Sequence, residues 1–280
     1  MNHTALNPQS TAANHAVAII PARFASTRLP GKALLEIAGR PMILHAAERA
    51  LAARNIARAI VATDDRRIFN AVRAAHFEVV MTSTDHQSGS DRLAEVAASL
   101  KEADVIVNVQ GDEPLIDPET IARAVDALSQ NHAADIATVC EPVTSAADVL
   151  SYDVVKVTID EGGRALYFSR APIPFPREAV RTYGSLEKAL AKDATLLARF
   201  RKHTGVYAYR REVLLEYTRW PPSNLEQTEA LEQLRALEHG LRIQVVEAVA
   251  PSIGVDTMED LERVRAIFAL RDDERERVYE

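Results

Sequence analysis

Short runs of aliphatic, β-prone residues recur along this chain with a helical pattern after each. That alternation restricts the available folds more than any single motif does. VAIIPA (17 to 22), ARAIVAT (57 to 63), EVVMT (78 to 82), DVIVNVQ (104 to 110) and DIATVC (135 to 140) read as strands. Helical patterns intervene from Pro41 onward, near Arg66 to Ala75, near Asp91 to Leu100 and over 117 to 128. Strands buried on both faces read as nearly continuous apolar runs, so the expectation is an α/β fold. Its core is a mainly parallel twisted sheet with helices on both faces, a Rossmann-like variant, plus a smaller β-rich lobe.

Past Val154 the pattern changes. VVKVTIDEGGRALYFSR reads as a hairpin around Gly162 and Gly163, and 176 to 200 as a polar, helix-prone peripheral insertion without a strong core stripe. TGVYAYR (204 to 210) is a further strand, 224 to 240 one helix ended by glycine, RIQVVEAV (242 to 249) a strand, and the stretch from Thr257 to Leu270 the closing helix. The expected organisation is a disordered tail over 1–14, a main α/β domain over 15–153, a smaller lobe over 154–210, and a return to the main domain over 211–280.

Composition excludes several classes. The longest apolar runs are too short to cross a bilayer, so no membrane insertion is expected. The first residues lack the basic and apolar regions of a secretory signal, and Cys140 is the single cysteine, so a reducing cytoplasm is the expected location. A net charge of -7 argues against nucleic acid as a partner. A phosphate ligand must therefore be held by a local basic cluster.

Such a cluster follows the first strand directly. Ala22-Arg23-Phe24-Ala25-Ser26-Thr27-Arg28-Leu29-Pro30-Gly31-Lys32 places three cations on a loop at the carboxyl end of a parallel strand, where open α/β sheets bind ligands. Arg forks and a Lys point charge suit a triphosphate, although the spacing is not that of a P-loop, and a solvated basic loop is the plainer reading. Gln110-Gly111-Asp112 leaves the most hydrophobic strand at the same edge, and Asp112 supplies half of a Mg2+ site or caps a turn. Asp256, before the closing helix, is by itself better explained as an N-cap with Thr257 and Glu259 following. Only the two acids together with the basic loop favour a metal.

The ordered motifs PARFASTRLPGK, GRPMILH, DHQSGSDRLAE, VNVQGDEP, YFSRAPIPF, HTGVYAYR, LEQLR and GVDTMEDLERV closely resemble those of the 3-deoxy-manno-octulosonate cytidylyltransferases, or CMP-Kdo synthetases. The resemblance runs from about Val17 to about Ile267. It implies transfer of CMP from CTP to the acidic sugar Kdo, with release of pyrophosphate, for lipopolysaccharide synthesis by a homodimer. It also implies that Arg23, Ser26 and Lys32 bind the triphosphate with Arg28 assisting, Lys32 facing the developing charge, and that Asp112 and Asp256 hold Mg2+. Lys32, Arg23 and Asp112 are then the catalytic group, with Ala22 also on the nucleotide.

His86, Ser88, Gly89 and Arg92 match the family's cytosine and ribose region, though the same stretch serves equally as a helix N-cap. Arg170 is the expected clamp for the sugar carboxylate, because Arg pairs with carboxylates bidentately. Gln110, His203, Tyr207, Glu232 and Gln233 are expected to meet the hydroxyls. Plainer readings stand beside these: Tyr207 as a half-buried strand aromatic, Glu232 as a helix ion-pair partner, His203 as a surface histidine. A cytidylyltransferase for another acidic sugar, or a silent nucleotide-binding subunit, are the alternatives. The tail, the 176–203 insertion and Thr204, where the family usually carries an aliphatic residue, depart from the pattern.

Overall fold

The computed structural model describes residues 16–25, 29–86 and 88–279, with side chains as far as 270. The tail over 1–14, Ser26 and Arg28 lie outside the described residues. In chain order the elements are β1 (Ala16–Ala22), β2 (Glu36–Ile37), β3 (Arg40–Pro41), α1 (Met42–Leu51), β4 (Ile56–Thr63), α2 (Arg66–Ala74), β5 (Glu78–Met81), α3 (Gly89–Ser99), β6 (Val105–Asn108), α4 (Pro118–Gln130) and β7 (Ile136–Pro142). They continue with α5 (Ala146–Leu150), β8 (Lys156–Ile159), β9 (Ala165–Ser169), α6 (Arg177–Tyr183), α7 (Leu186–Lys192), β10 (Arg201–Arg210), α8 (Arg211–Tyr217), α9 (Asn224–Glu229), α10 (Gln233–Glu238), β11 (Ile243–Glu247) and α11 (Met258–Tyr279).

The main sheet runs β11-β7-β10-β6-β1-β4-β5. β1 pairs in parallel with β4 and β6, β4 with β5, and β11 with β7, while β10 alone on this path is antiparallel to both its neighbours. The period of two is visible in β1. Ala16, Ala18, Ile20 and Ala22 enter the core beneath α1 and α4, and Val17 and Ile19 enter the core on the opposite face with Leu93 and Val96 of α3. From β1 the chain first builds outward through β4 and β5, then returns to place β6 on the other side of β1. This reversal opens a crevice at the carboxyl ends of β1 and β6, the place where doubly wound sheets bind ligands.

Three expectations need correction. β10, assigned by sequence to the smaller lobe of 154–210, lies in the middle of the main sheet. The β8–β9 hairpin joins that sheet through the Lys202–Lys156 pairing. Sequence alternation cannot reveal this, because an antiparallel central strand has the same apolar look as a parallel one. The segment 176–200 is not without a core: Ala189, Leu190, Leu196 and Phe200 pack with Val143 and Val149 in a cluster of their own. The single helix expected over 224–240 is broken. Ala230 stands at φ 52 in the left-handed region and ends α9, and α10 begins only at Gln233.

Candidate active site

The basic loop closes on itself before it reaches Lys32. Gly31 at φ 68 donates its N–H to Phe24 O at 3.1 Å, and a Cβ at Gly31 would meet the Phe24 ring at 3.1 Å, so glycine is required on both counts. The guanidinium of Arg67 lies 3.2 Å over the same ring and is held by Asp65, which also caps α2. A 3-10 turn over Lys32–Leu34 then sends the Lys32 side chain into the crevice.

There it meets both acids. Lys32 Nζ lies 2.5 Å from Asp112 Oδ2 and 3.0 Å from Asp256 Oδ1, joining residues 80 and 224 positions apart in the chain. Burial pulls the ammonium down, but the attraction and hydrogen bonding of Asp112 and Asp256 outweigh it and hold Lys32 above the ordinary lysine value. Gly111 permits the approach of the Asp112 loop, since a Cβ there would stand 2.8 Å from Ile43 Cδ1 and 3.3 Å from Pro21 O. The reading of Asp256 as an N-cap is not what is observed. Thr257 and Asp260 exchange the capping bonds of α11, and the Asp256 carboxylate turns to Lys32.

Two cavities of about 390 Å³ open side by side here, sharing Pro21, Arg23 and Gln110. The first is lined by Ala22, Arg23, Lys32, Asp112 and Asp256. The second, by contrast, is walled with hydrogen-bonding groups from β10 and the α9–α10 break, among them His203, Tyr207, Glu232 and Gln233. Its shape comes from a bulge in β10 between Thr204 and Tyr207, filled by the Thr138 hydroxyl, which donates to Val206 O at 2.8 Å. That commitment makes His203 Nε2 the donor of its 2.9 Å bond to Thr138 Oγ1. Burial pulls the His203 imidazole down to about 3, so it is neutral at physiological pH, and burial raises Tyr207 well above the usual phenol value. Glu232 accepts from Ser90 Oγ at 2.7 Å.

The comparisons with known proteins agree with this geometry. The family model described as cytidylyltransferase matches residues 17–243. The 3-deoxy-manno-octulosonate cytidylyltransferase of Geobacter sulfurreducens is 52% identical over 247 residues, 88% of this chain and 96% of that protein. The protein of the same name from Yersinia pseudotuberculosis is 50% identical over 255 residues, 90% of this chain and 98% of its own. Among solved structures, a CMP:2-keto-3-deoxy-manno-octonic acid synthetase complexed with CTP superimposes with a TM-score of 0.82 at 44% identity, covering 92% of this chain and 99% of that one. The chain belongs to the cytidylyltransferase family.

It is accordingly a nucleotidyltransferase, and its crevice brings together most of the residues marked in the sequence. Of the four residues expected to meet the base and ribose, Gly89 and Arg92 line the second cavity rather than the one that holds Lys32. Ser88 serves as the N-cap of α3 in a reciprocal capping box with Asp91, and the His86 ring pairs with Glu95. Arg92 is 1% exposed and gives N–H bonds to Asp64 Oδ2 at 2.6 Å and to Thr82.

Arg170 departs from expectation, since it is not among the residues lining either cavity. Its Nε donates to Glu229 O at 2.7 Å, its Nη1 to Tyr152 O at 3.0 Å and its Nη2 to Ala230 O at 3.3 Å. It braces the backbone at the α9–α10 break, whose exposed carbonyls a planar fork can collect. Sequence reasoning gave no role of its own to Ser90 or to Asn108. The latter, a buried polar residue ending an otherwise apolar strand, accepts from Gln110 Nε2 at 3.2 Å and was detectable on that ground.

Proposed function

We propose that the chain transfers CMP from CTP to 3-deoxy-manno-octulosonate, releasing pyrophosphate, with Mg2+ bound between Asp112 and Asp256. The anomeric oxygen attacks the α-phosphorus in line. The bond from that phosphorus to the bridging oxygen of the leaving pyrophosphate breaks, and the proton of the sugar hydroxyl passes to solvent water. Such a transfer needs positioning and charge neutralisation more than a covalent intermediate. The observation that carries the reading is the convergence of Lys32, Asp112 and Asp256 at one point beside a second cavity walled with hydrogen-bonding groups.

The donor set fits the metal. Two carboxylates from distant segments already converge on one cationic centre, and Mg2+ prefers one or two carboxylates plus substrate phosphates. When bound there, the ion supplies Lewis acidity and a template for the phosphates. Lys32 moves from the acids to the triphosphate, where its ammonium faces the charge that develops on transfer. Arg23 lines both cavities and neutralises charge on either substrate. Neutral His203, protonated Tyr207, Gln110, Glu232 and Gln233 orient the sugar hydroxyls.

The reading extends to a homodimer in the cytoplasm serving lipopolysaccharide synthesis. Tyr152 and Phe175, both strongly exposed on the segments that flank the β8–β9 hairpin, offer apolar surface for a symmetric contact. No helix among the described residues is long and apolar enough to cross a membrane. The test is pyrophosphate release with CTP, Kdo and Mg2+, run beside other 2-keto sugar acids. Preference for another sugar overturns the substrate, no release in any combination overturns the activity, and sedimentation as a monomer at micromolar concentration removes the dimer.

A further inference from the structure

Glu141, at the end of β7, is a carboxylate only 4% exposed, and it touches neither cavity. Its Oε1 accepts from Thr204 Oγ1 at 2.9 Å and from the Ser252 backbone N–H at 3.1 Å. Lys202 Nζ stands 3.8 Å from its Oε2, too far for a hydrogen bond. Burying a charge with so little compensation is costly, and an apolar residue of similar volume would be cheaper in a core role. Its two firm partners therefore matter.

Each partner leads to one side of the crevice. Thr204 opens the β10 bulge between His203 and Gly205, and Gly205 O accepts from Gln110 Nε2 at 3.1 Å, on the wall shared by the two cavities. Ser252 begins the segment that ends in Asp256, and the far end of that segment is tied to the other acid by Val255 N–H donating to Asp112 O at 2.9 Å. One buried carboxylate oxygen thus joins the wall that meets the sugar to the segment that carries the second acid.

We propose that Glu141 is a positioning residue that holds the Asp256 segment and the β10 bulge in a common register, so that the phosphate side and the sugar side of the crevice assemble together. The proposal rests on the reading of Asp256 as a metal ligand, and the experiment separates the two. Mn2+ binding is measured calorimetrically with CTP present and sugar absent, in the full chain and in Asp256→Asn, Glu141→Ala and Glu141→Gln.

Weakened binding in Asp256→Asn upholds the ligand reading, and unchanged binding there sinks that reading and with it the proposal. Glu141→Ala is expected to weaken Mn2+ binding about tenfold, the scale of outer-shell partners of metal ligands. Glu141→Gln, which keeps the accepting oxygen, is expected to stay within about twofold, a rescue that loss of packing would not give. A folded Glu141→Ala with wild-type Mn2+ affinity, or a Gln variant as impaired as the Ala variant, overturns it. Thr204→Val tests the other arm and does not depend on Glu141→Ala folding. It should raise the KM for the sugar several-fold while leaving the KM for CTP unchanged, and an unchanged sugar KM overturns the proposal.

Discussion

The ammonium of Lys32 sits 2.5 Å from Asp112 Oδ2 and, by reaching Asp256 Oδ1 at 3.0 Å as well, takes the position between two acids that suits a divalent cation. The chain thus carries its own counter-charge for the acid pair. On the proposed reading, a divalent cation and Lys32 compete for the same carboxylates until a triphosphate offers Lys32 another anion. Lys32→Met should therefore act in opposite directions on two measurements. Turnover should fall by about 10²- to 10³-fold, the scale of removing one stabilising cation at a developing charge. Mn2+ binding to the CTP-free protein should tighten, because two carboxylates lose their competitor. Calorimetric titration showing weaker Mn2+ binding would refute the competition.

Asp112→Asn bears on the same cluster from the other side. The Asp112 side chain is 30% exposed, so its ion pair contributes about 1 kcal/mol or less to stability, and the fold should survive. Metal-dependent pyrophosphate release should be abolished. Near-normal release at saturating Mg2+ would remove Asp112 from the metal site.

Much of this was legible in the residues themselves. The alternating runs specified the parallel strands because burial on both faces imposes an apolar signature that turns interrupt. The basic loop and Asp112 were found because each follows a strand directly, which fixes the edge of the sheet they occupy. What the residues did not reveal shares a cause in long-range geometry. Nothing local marks β10 as central, since its neighbours β6 and β7 lie roughly 100 and roughly 70 residues upstream, in two separate segments. Arg170 has the right chemistry for a carboxylate, yet the carbonyls that claim it appear only when the helix over 224–240 breaks. The break itself sits at an alanine, which sequence rules place inside helices.

That alanine makes a sharp test. Ala230 adopts φ 52, where a Cβ costs about 1 kcal/mol that glycine does not pay. Ala230→Gly should be neutral or stabilising by up to about 1 kcal/mol, the strain relief being offset by a more flexible unfolded chain. Ala230→Val should destabilise by more than that and raise the sugar KM, because Leu231, Glu232 and Gln233 follow it into the cavity wall. Urea unfolding of the two variants checks the order, and a Gly variant less stable than the Val variant would contradict the role given to the break.

Arg170→Ala should behave as a structural lesion. It deletes three N–H donors from the carbonyls of Tyr152, Glu229 and Ala230, and a loss of about 1–3 kcal/mol is expected. The sugar KM should rise together with that loss of stability. Arg170→Lys should recover little of either, since an ammonium cannot span three carbonyls as a planar fork does. A large rise in sugar KM at unchanged stability would instead return Arg170 to direct contact with the sugar carboxylate.

The pH dependence of stability should carry the signature of His203. Its imidazole is held at about 3 by burial, against 6.5 in the unfolded chain. Between those values the unfolded state binds a proton that the folded state refuses, so acidification favours unfolding. The contribution is fully present above pH 6.5 and is lost as the pH falls toward 3, with a slope approaching about 1.4 kcal/mol per pH unit. His203→Gln keeps a donor for Thr138 and cannot titrate. The difference in unfolding free energy between wild type and variant, measured by urea at pH 7, 6 and 5, should shift steadily against the wild type on acidification. A difference constant across those three values would mean that the folded protein protonates His203 as readily as water does, and the neutral donor proposed for the sugar wall would be lost with it.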